Sequence, residues 1–208
     1  MSNSGYSNDF ILNDVWDSAN HQLAVTSSPG SAAPGVDSSH PAFVRGQLVR
    51  VSVEFARPAG TGTYTANYVV SNNGTTTTMM EFANFARLAG GDGYIVGAKL
   101  ITDKKSITPR FRVHLFLDNT AVVSGDNAAW QEKYTDSAKR IGYFDLPAMT
   151  TGADTTNSDM SRSLDMTLRM PFFVGVASRS VYAVLETLDA FAFASAEKFT
   201  LTLYGDLN

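Results

Sequence analysis

The chain has no cysteine among its 208 residues, which removes disulfides, thiolate metal sites and thiol nucleophiles together. A chain of this size without cysteine is held by packing or by assembly. Histidine is scarce too, with only His21, His40 and His114, far apart in sequence. No nucleophile-elbow motif accompanies them, so Ser-His-Asp chemistry is not expected. Glutamate is limited to Glu54, Glu81, Glu132, Glu186 and Glu197. The aspartates Asp92, Asp103, Asp118, Asp126, Asp136 and Asp145 fall at turns or element ends, where Asp serves backbone geometry. No carboxylate pair is singled out for glycan hydrolysis. The expectation is a protein that is not an enzyme and carries no cofactor and no metal.

Long apolar runs are also missing. None approaches the roughly 18 residues that a membrane span needs. The first ten residues, MSNSGYSNDF, have neither a basic region nor an apolar core, so no signal peptide and no membrane partner are expected. Lys and Arg are absent from residues 1–41, which hold Asp9, Asp14, Asp17 and Asp37. The rest of the chain balances sixteen acidic against sixteen basic groups. Without a basic face, nucleic acid is not an expected partner.

What is present is β-forming sequence. Thr, Val, Phe and Tyr are plentiful, charged residues make up 17% and turn residues recur. Residues 1–41 are rich in Ser, Asn, Gly and Pro, with SSPGSAAPG at 27–35 as a linker signal. This reads as an extended N-terminal arm, followed by a β-sandwich domain over 42–208. Phe10, Ile11, Leu12, Val15 and Trp16 form an apolar strip in the arm that must bury against its own domain or a neighbour. They are the candidate partner-binding residues.

From Ala42 onward the period is two. Val49, Val51, Val53 and Phe55 share one strand face, with Arg50, Ser52 and Glu54 on the other. Further strands are expected at 63–70, at 80–85 and at 94–103. In the last of these, Ile95, Gly97, Lys99 and Ile101 would face one way, both faces are largely apolar and a central position follows. RFRVHLFL at 110–117 places Phe111, Val113, Leu115 and Leu117 inward and Arg110, Arg112 and His114 outward. Later strands are expected at 141–146, within 163–175, at 180–188 and at 198–206. Asn72-Asn73-Gly74 reads as a hairpin-type turn. Residues 127–139 read as a short helix capped by Asp126 or Asn127, with Trp130, Tyr134 and Ala138 on one face. Gly90-Gly91-Asp92-Gly93 precedes a strand rather than a helix, so it is a tight turn and not a phosphate loop. The loop 118–127 lacks EF-hand spacing and reads as structural rather than calcium-binding. Trp16, Trp130 and the tyrosines could form a sugar platform, but their spacing favours core positions. About eight strands, one short helix and no βαβ rhythm imply an all-β antiparallel β-sandwich, jelly-roll-like.

One set of motifs resembles a known family. It comprises Gly93-Tyr94-Ile95, Gly97-Ala98, Leu100, Thr102-Asp103, Phe111-Arg112, His114-Leu115, Asp126-Asn127-Ala128, Tyr134, Lys139, Ile141-Gly142-Tyr143 and Asp145. Phe199-Thr200, Leu203-Tyr204, Asp206 and Asn208 continue it. Over roughly residues 64–208 this pattern resembles tailed-bacteriophage and prophage structural proteins of the capsid decoration, or cement, type. The resemblance implies a β-rich subunit on the exterior of the virion head, made in the host cytoplasm. Its implied partners are the major capsid protein and further copies of itself, as dimer or trimer. A receptor- or glycan-binding module of a phage fibre or tail is the alternative. The resemblance brings no catalytic residue with it and does not reach the arm.

Overall fold

The computed structural model describes residues 47–60, 62–154 and 156–207, and the backbone of Trp16–Asp17 and Gln22–Leu23. The chain divides into two units, Met1–Arg45 and Gly46–Asn208. In the first, β1 (Trp16–Asp17) pairs antiparallel with β2 (Gln22–Leu23). The expected arm and its boundary at residue 41 otherwise lie outside the described residues.

The second unit runs through β3 (Gln47–Ala56), β4 (Gly62–Tyr64), β5 (Tyr68–Val70), β6 (Met80–Phe82), β7 (Asp92–Thr102) and β8 (Phe111–Phe116). A 3₁₀ helix (Tyr134–Lys139) leads into β9 (Arg140–Leu146), β10 (Thr150–Thr151), β11 (Ser161–Asp165) and β12 (Met170–Phe173). β13 (Val181–Thr187), β14 (Phe191–Phe193) and β15 (Lys198–Leu207) complete it. The first sheet has the order β10-β11-β7-β15-β3, with β12 also on β7. The second has the order β5-β13-β8-β9, with β6 also on β13. β14 and β4 form a two-stranded ribbon.

Taking β5 with β6 and β11 with β12 as interrupted strands leaves eight strand positions. The first pairs with the eighth (β3·β15), the second with the seventh (β5 and β6·β13) and the third with the sixth (β7·β11 and β12). The fourth pairs with the fifth (β8·β9), and every pairing is antiparallel. One long paired ribbon rolled into two sheets is the topology of a jelly roll. The all-β antiparallel sandwich is therefore the fold of this unit.

The core lies between the sheets. Ile95, Ala98 and Leu100 of β7 and Phe199, Leu201 and Leu203 of β15 meet Phe111, Val113 and Leu115 of β8 and Val181, Ala183 and Leu185 of β13. Phe193 packs edge-on against Phe199 at 5.7 Å and against Tyr64 at 4.9 Å. Each fully buried Phe of this kind contributes about 2–3 kcal/mol. Glycine is needed where the backbone comes close: a Cβ on Gly93 would stand 2.6 Å from the Asp206 carbonyl oxygen.

Several expectations need correction. The strand expected at 63–70 is broken into β4 and β5, with Asn67 at φ 66° in the interruption. Asn72-Asn73-Gly74 is not a hairpin turn, because β5 and β6 both pair with β13 on the same side. Instead the Asn73 carboxamide accepts the Thr75 N–H at 2.8 Å. In β7 the register against β15 slips, so that Tyr204 faces Gly97 while Gly205 faces Ile95. The extra residue, Val96, reverses the alternation, and Ala98, Leu100 and Thr102 point inward in place of Lys99 and Ile101. The expected helix over 127–139 shrinks to the 3₁₀ turn Tyr134–Lys139, and neither Asp126 nor Asn127 caps it.

Candidate interaction surface

The two sheets differ in what covers their outer sides. On the second sheet, Val69, Phe116 and Val184 point away from the main core. They form a second apolar cluster with Met79, Ala121 and Val123, bordered by Trp130 and Tyr182. The β8–β9 connection supplies Ala121, Val123 and Trp130, so this loop covers the sheet from β5 to β8, while Tyr143 on β9 stays exposed. His114 sits beneath that cover. It does point outward from the sheet, as expected, but it is buried at 3% exposure rather than facing solvent. The Trp130 ring stacks on it at 3.7 Å.

The imidazole is fully engaged. The Arg140 guanidinium donates to Nδ1 at 3.1 Å, which leaves Nε2 to carry the hydrogen and donate to Glu186 Oε2 at 2.7 Å. Burial lowers the His114 pKa below its ordinary value, against the opposing pull of Glu186. Arg140 also pairs with Glu132 at 2.7 Å. These groups hold the loop on the sheet.

Asp126 performs a parallel task at one end of the sandwich. Its carboxylate accepts the Ser71 N–H at 2.9 Å and a guanidinium N–H of Arg57 at 3.2 Å, and the Tyr64 hydroxyl donates to it. Burial and the Asp126 carboxylate raise the Tyr64 pKa far above its ordinary value. The following residues run along the free side of β5, where Asn127 donates to the Val69 carbonyl and Val69 to the Ala128 carbonyl, each at 2.9 Å. Trp130 donates to Asn67 at the same distance. The second sheet is thereby closed along one edge as well as over the β5–β8 part of its face. Asp118, at the other end of the loop, accepts the Thr120 N–H at 2.8 Å. Among the described residues, no group of three or more His, Asp or Glu side chains is placed to hold a metal ion.

The first sheet has no comparable cover among the described residues. Its outer side carries Leu48 at 77% exposure, Leu164 at 50%, Met166 at 51% and Phe173 at 56%. Tyr94, beside Pro171 in the register, is half-buried under the Arg169 guanidinium at 4.8 Å. Two open grooves flank this side. One of about 380 Å³ is lined by Thr150, Asn157, Asp159 and Arg162. The other, of about 310 Å³, is lined by Glu54, Asp103, Lys198 and Thr200. Leu164 and Met166 escaped notice in the sequence because period two assigns residues to a face without saying which face is inward. In the same stretch Leu168 and Met170 pack on the core, since the chain between β11 and β12 breaks the alternation.

The partner-binding residues expected from the sequence cannot be compared with this surface. Phe10, Ile11, Leu12 and Val15 lie outside the described residues, and Trp16 is described only in its backbone, paired with Leu23 in β1. Most of the motif residues of the resemblance, by contrast, fall on paired strands, while Asp126-Asn127-Ala128 lie in the β8–β9 connection and Tyr134 and Lys139 in the 3₁₀ turn. Gly93–Thr102 lies in β7 with Asp103 just beyond it, Phe111–Leu115 lies in β8, Ile141–Asp145 in β9 and Phe199–Asp206 in β15.

No known protein family matches the chain, and no curated protein matches it in sequence. Among solved structures it is similar to a chain of the cyanophage Pam1 capsid asymmetric unit. That match has 16% identity, covers 92% of this chain and 97% of the other, and has a TM-score of 0.32. A chain of the Israeli acute paralysis virus full particle aligns at 12% identity over 100% and 92% of the two chains, with a TM-score of 0.27. A chain of the infectious bursal disease virus Gt strain aligns at 12% identity over 78% and 42%, with a TM-score of 0.17. All three come from virus particles, and at these scores the likeness fixes neither topology nor role.

Proposed function

We propose that the chain is a non-enzymatic virion structural protein, a decoration or cement subunit that binds the outside of a phage head and stabilises it. One observation supports this above the rest: a jelly roll with one sheet closed by its own loop and the other left open, with apolar side chains exposed. Jelly rolls serve both viral capsid and lectin domains, so the fold alone does not select a role. The open face favours a broad protein contact, and the motif resemblance points the same way. In this reading a partner covers the exposed Leu48, Leu164, Met166 and Phe173.

In this reading the exposed side of the first sheet meets shell subunits, and Phe10, Ile11, Leu12, Val15 and Trp16 anchor the arm on a neighbour or on the shell. Two linked attachments act at high effective concentration, so modest contacts combine into stable occupancy. Purified chain is added to heads lacking it and the particles are reconstructed by electron cryomicroscopy. Density at subunit junctions on the head exterior is expected. A chain lacking residues 1–41 should fold but occupy fewer sites, and unchanged occupancy removes the arm from the account. Density on fibre or tail instead, with specific sugar binding on a glycan array, assigns a receptor- or glycan-binding module and overturns the proposal.

A further inference from the structure

The sandwich has four lateral edges, and three of them are blunted. One is made of β10, two residues long, and β12, four residues long and carrying Pro171. β5 is hydrogen-bonded along its outer side by residues 127–130. β9 carries a register slip against β8 next to Gly142, whose φ is 152°. Short strands, covering segments and bulges are the usual protections of a sheet edge.

Among the described residues the fourth edge, β3, is neither short nor bulged and has no segment hydrogen-bonded along it, although β6 of the opposite sheet lies near it. Its ten residues pair with β15 in unbroken register from Gln47↔Leu207 to Ala56↔Lys198. Its other side has no strand partner among the described residues, and QLVRVSVEFA contains neither Pro nor Lys. Its core-side residues Val49, Val51, Val53 and Phe55 are only half-buried, while their β15 neighbours Phe199, Leu201 and Leu203 are completely buried. The edge is long, unbroken in register and apolar on its inner side.

The charges on β3 select what fits it. A second copy added antiparallel about a two-fold axis normal to the sheet must pair residues whose numbers add to an even sum, because opposed residues share a face. Centring on Arg50 or Glu54 sets like charges against each other. Centring on Val51 or Val53 leaves both charges without an opposite partner. Centring on Ser52 sets Arg50 against Glu54 of the second copy twice over, Val51 against Val53, and Val49 against Phe55. Opposite charges in cross-strand pairs stabilise and like charges destabilise. Arg50 makes no ion pair among the described residues, and Glu54 has exposed contacts with Lys198 and the Thr200 hydroxyl, each at 3.4 Å.

We propose that two copies of the chain join edge to edge through β3, antiparallel about Ser52, so that their first sheets become one continuous sheet. This stands apart from the virion reading, since it is tested on the purified full-length chain. In sedimentation experiments the native chain self-associates, and Arg50→Glu and Glu54→Arg each weaken the association about tenfold or more. Both residues are exposed, so the far-ultraviolet circular dichroism of both variants stays native. Mixing the two variants restores association, because an edge with two acidic side chains then faces an edge with two basic ones. The absence of native cysteine allows a second readout. Opposed residues place their Cα atoms about 4.5–5.5 Å apart, within disulfide range, so Ser52→Cys crosslinks into a dimer on mild oxidation. Glu54→Cys, offset by about 13 Å from its own copy, does not. A native chain that stays monomeric, an association indifferent to the charge reversals, or a Ser52→Cys chain that crosslinks no faster than Glu54→Cys overturns the proposal.

Discussion

The second sheet is finished by its own chain and the first is not. Beyond the second sheet lie a loop, a stacked tryptophan and a buried imidazole with both nitrogens engaged. Beyond the first lie Leu48, Leu164, Met166 and Phe173, exposed. A jelly roll needs only its inner faces to fold, so its outer faces are free to diverge. Here one has become internal structure and the other has stayed surface. The difference separates residues that stabilise the subunit from residues available to partners.

That separation can be broken most directly at Trp130. Trp130→Ala strips the cover from His114 and leaves a cavity, and a loss of about 3 kcal/mol in urea unfolding is expected. The His114 pKa, followed by NMR, should rise toward its ordinary value as water reaches the ring. A loss below about 0.5 kcal/mol would mean that the loop does not hold the second sheet.

A pH series sharpens the same point. The folded His114 has its pKa lowered by burial, so the unfolded chain takes up the proton first as pH falls. The His114 contribution is therefore complete above about pH 6.5 and is lost progressively as pH drops from there through the folded pKa. Glu197 works in the opposite sense: burial raises its pKa, and its contribution declines as pH rises out of the carboxylate range. Comparing the native chain with His114→Gln isolates the imidazole. The difference between their urea midpoints should change between about pH 7.5 and about pH 5.5, and a constant difference would contradict the buried neutral ring.

The smallest effect on stability belongs to the first sheet. Leu164→Lys and Met166→Lys should each change unfolding free energy by no more than about 0.5 kcal/mol, yet lower occupancy on heads. Large destabilisation would show that this face is covered after all.

Much of the fold was legible because strands announce themselves by period two. Phe111 to Leu115 and Phe199 to Leu203 alternate as the sequence implies, and β7 does take a central place. The errors arose where one residue changes the count or where a side chain has a tertiary duty. Val96 inserts into β7 and turns Lys99 and Ile101 outward, an event that composition cannot signal. Asp126 resembled a helix cap locally, yet its carboxylate serves Arg57, Tyr64 and Ser71, which are distant in sequence. His114 was correctly assigned to the outer face, but its burial depends on Trp130, further along the chain. The open face was hardest to see, since exposed Leu164 and half-buried Leu168 look alike in sequence. The unpaired edge of β3 is a property of strand order and has no local signature.

The central claim is that the first sheet faces partners and the second does not. Hydroxyl-radical footprinting of the chain, free and bound to heads, tests it side chain by side chain. Met166, Leu164 and Phe173 should lose reactivity on binding, while Tyr134 and Tyr143, exposed on the second-sheet side at 92% and 57%, should stay reactive. Protection of the two tyrosines with Met166 and Phe173 unchanged would contradict the account.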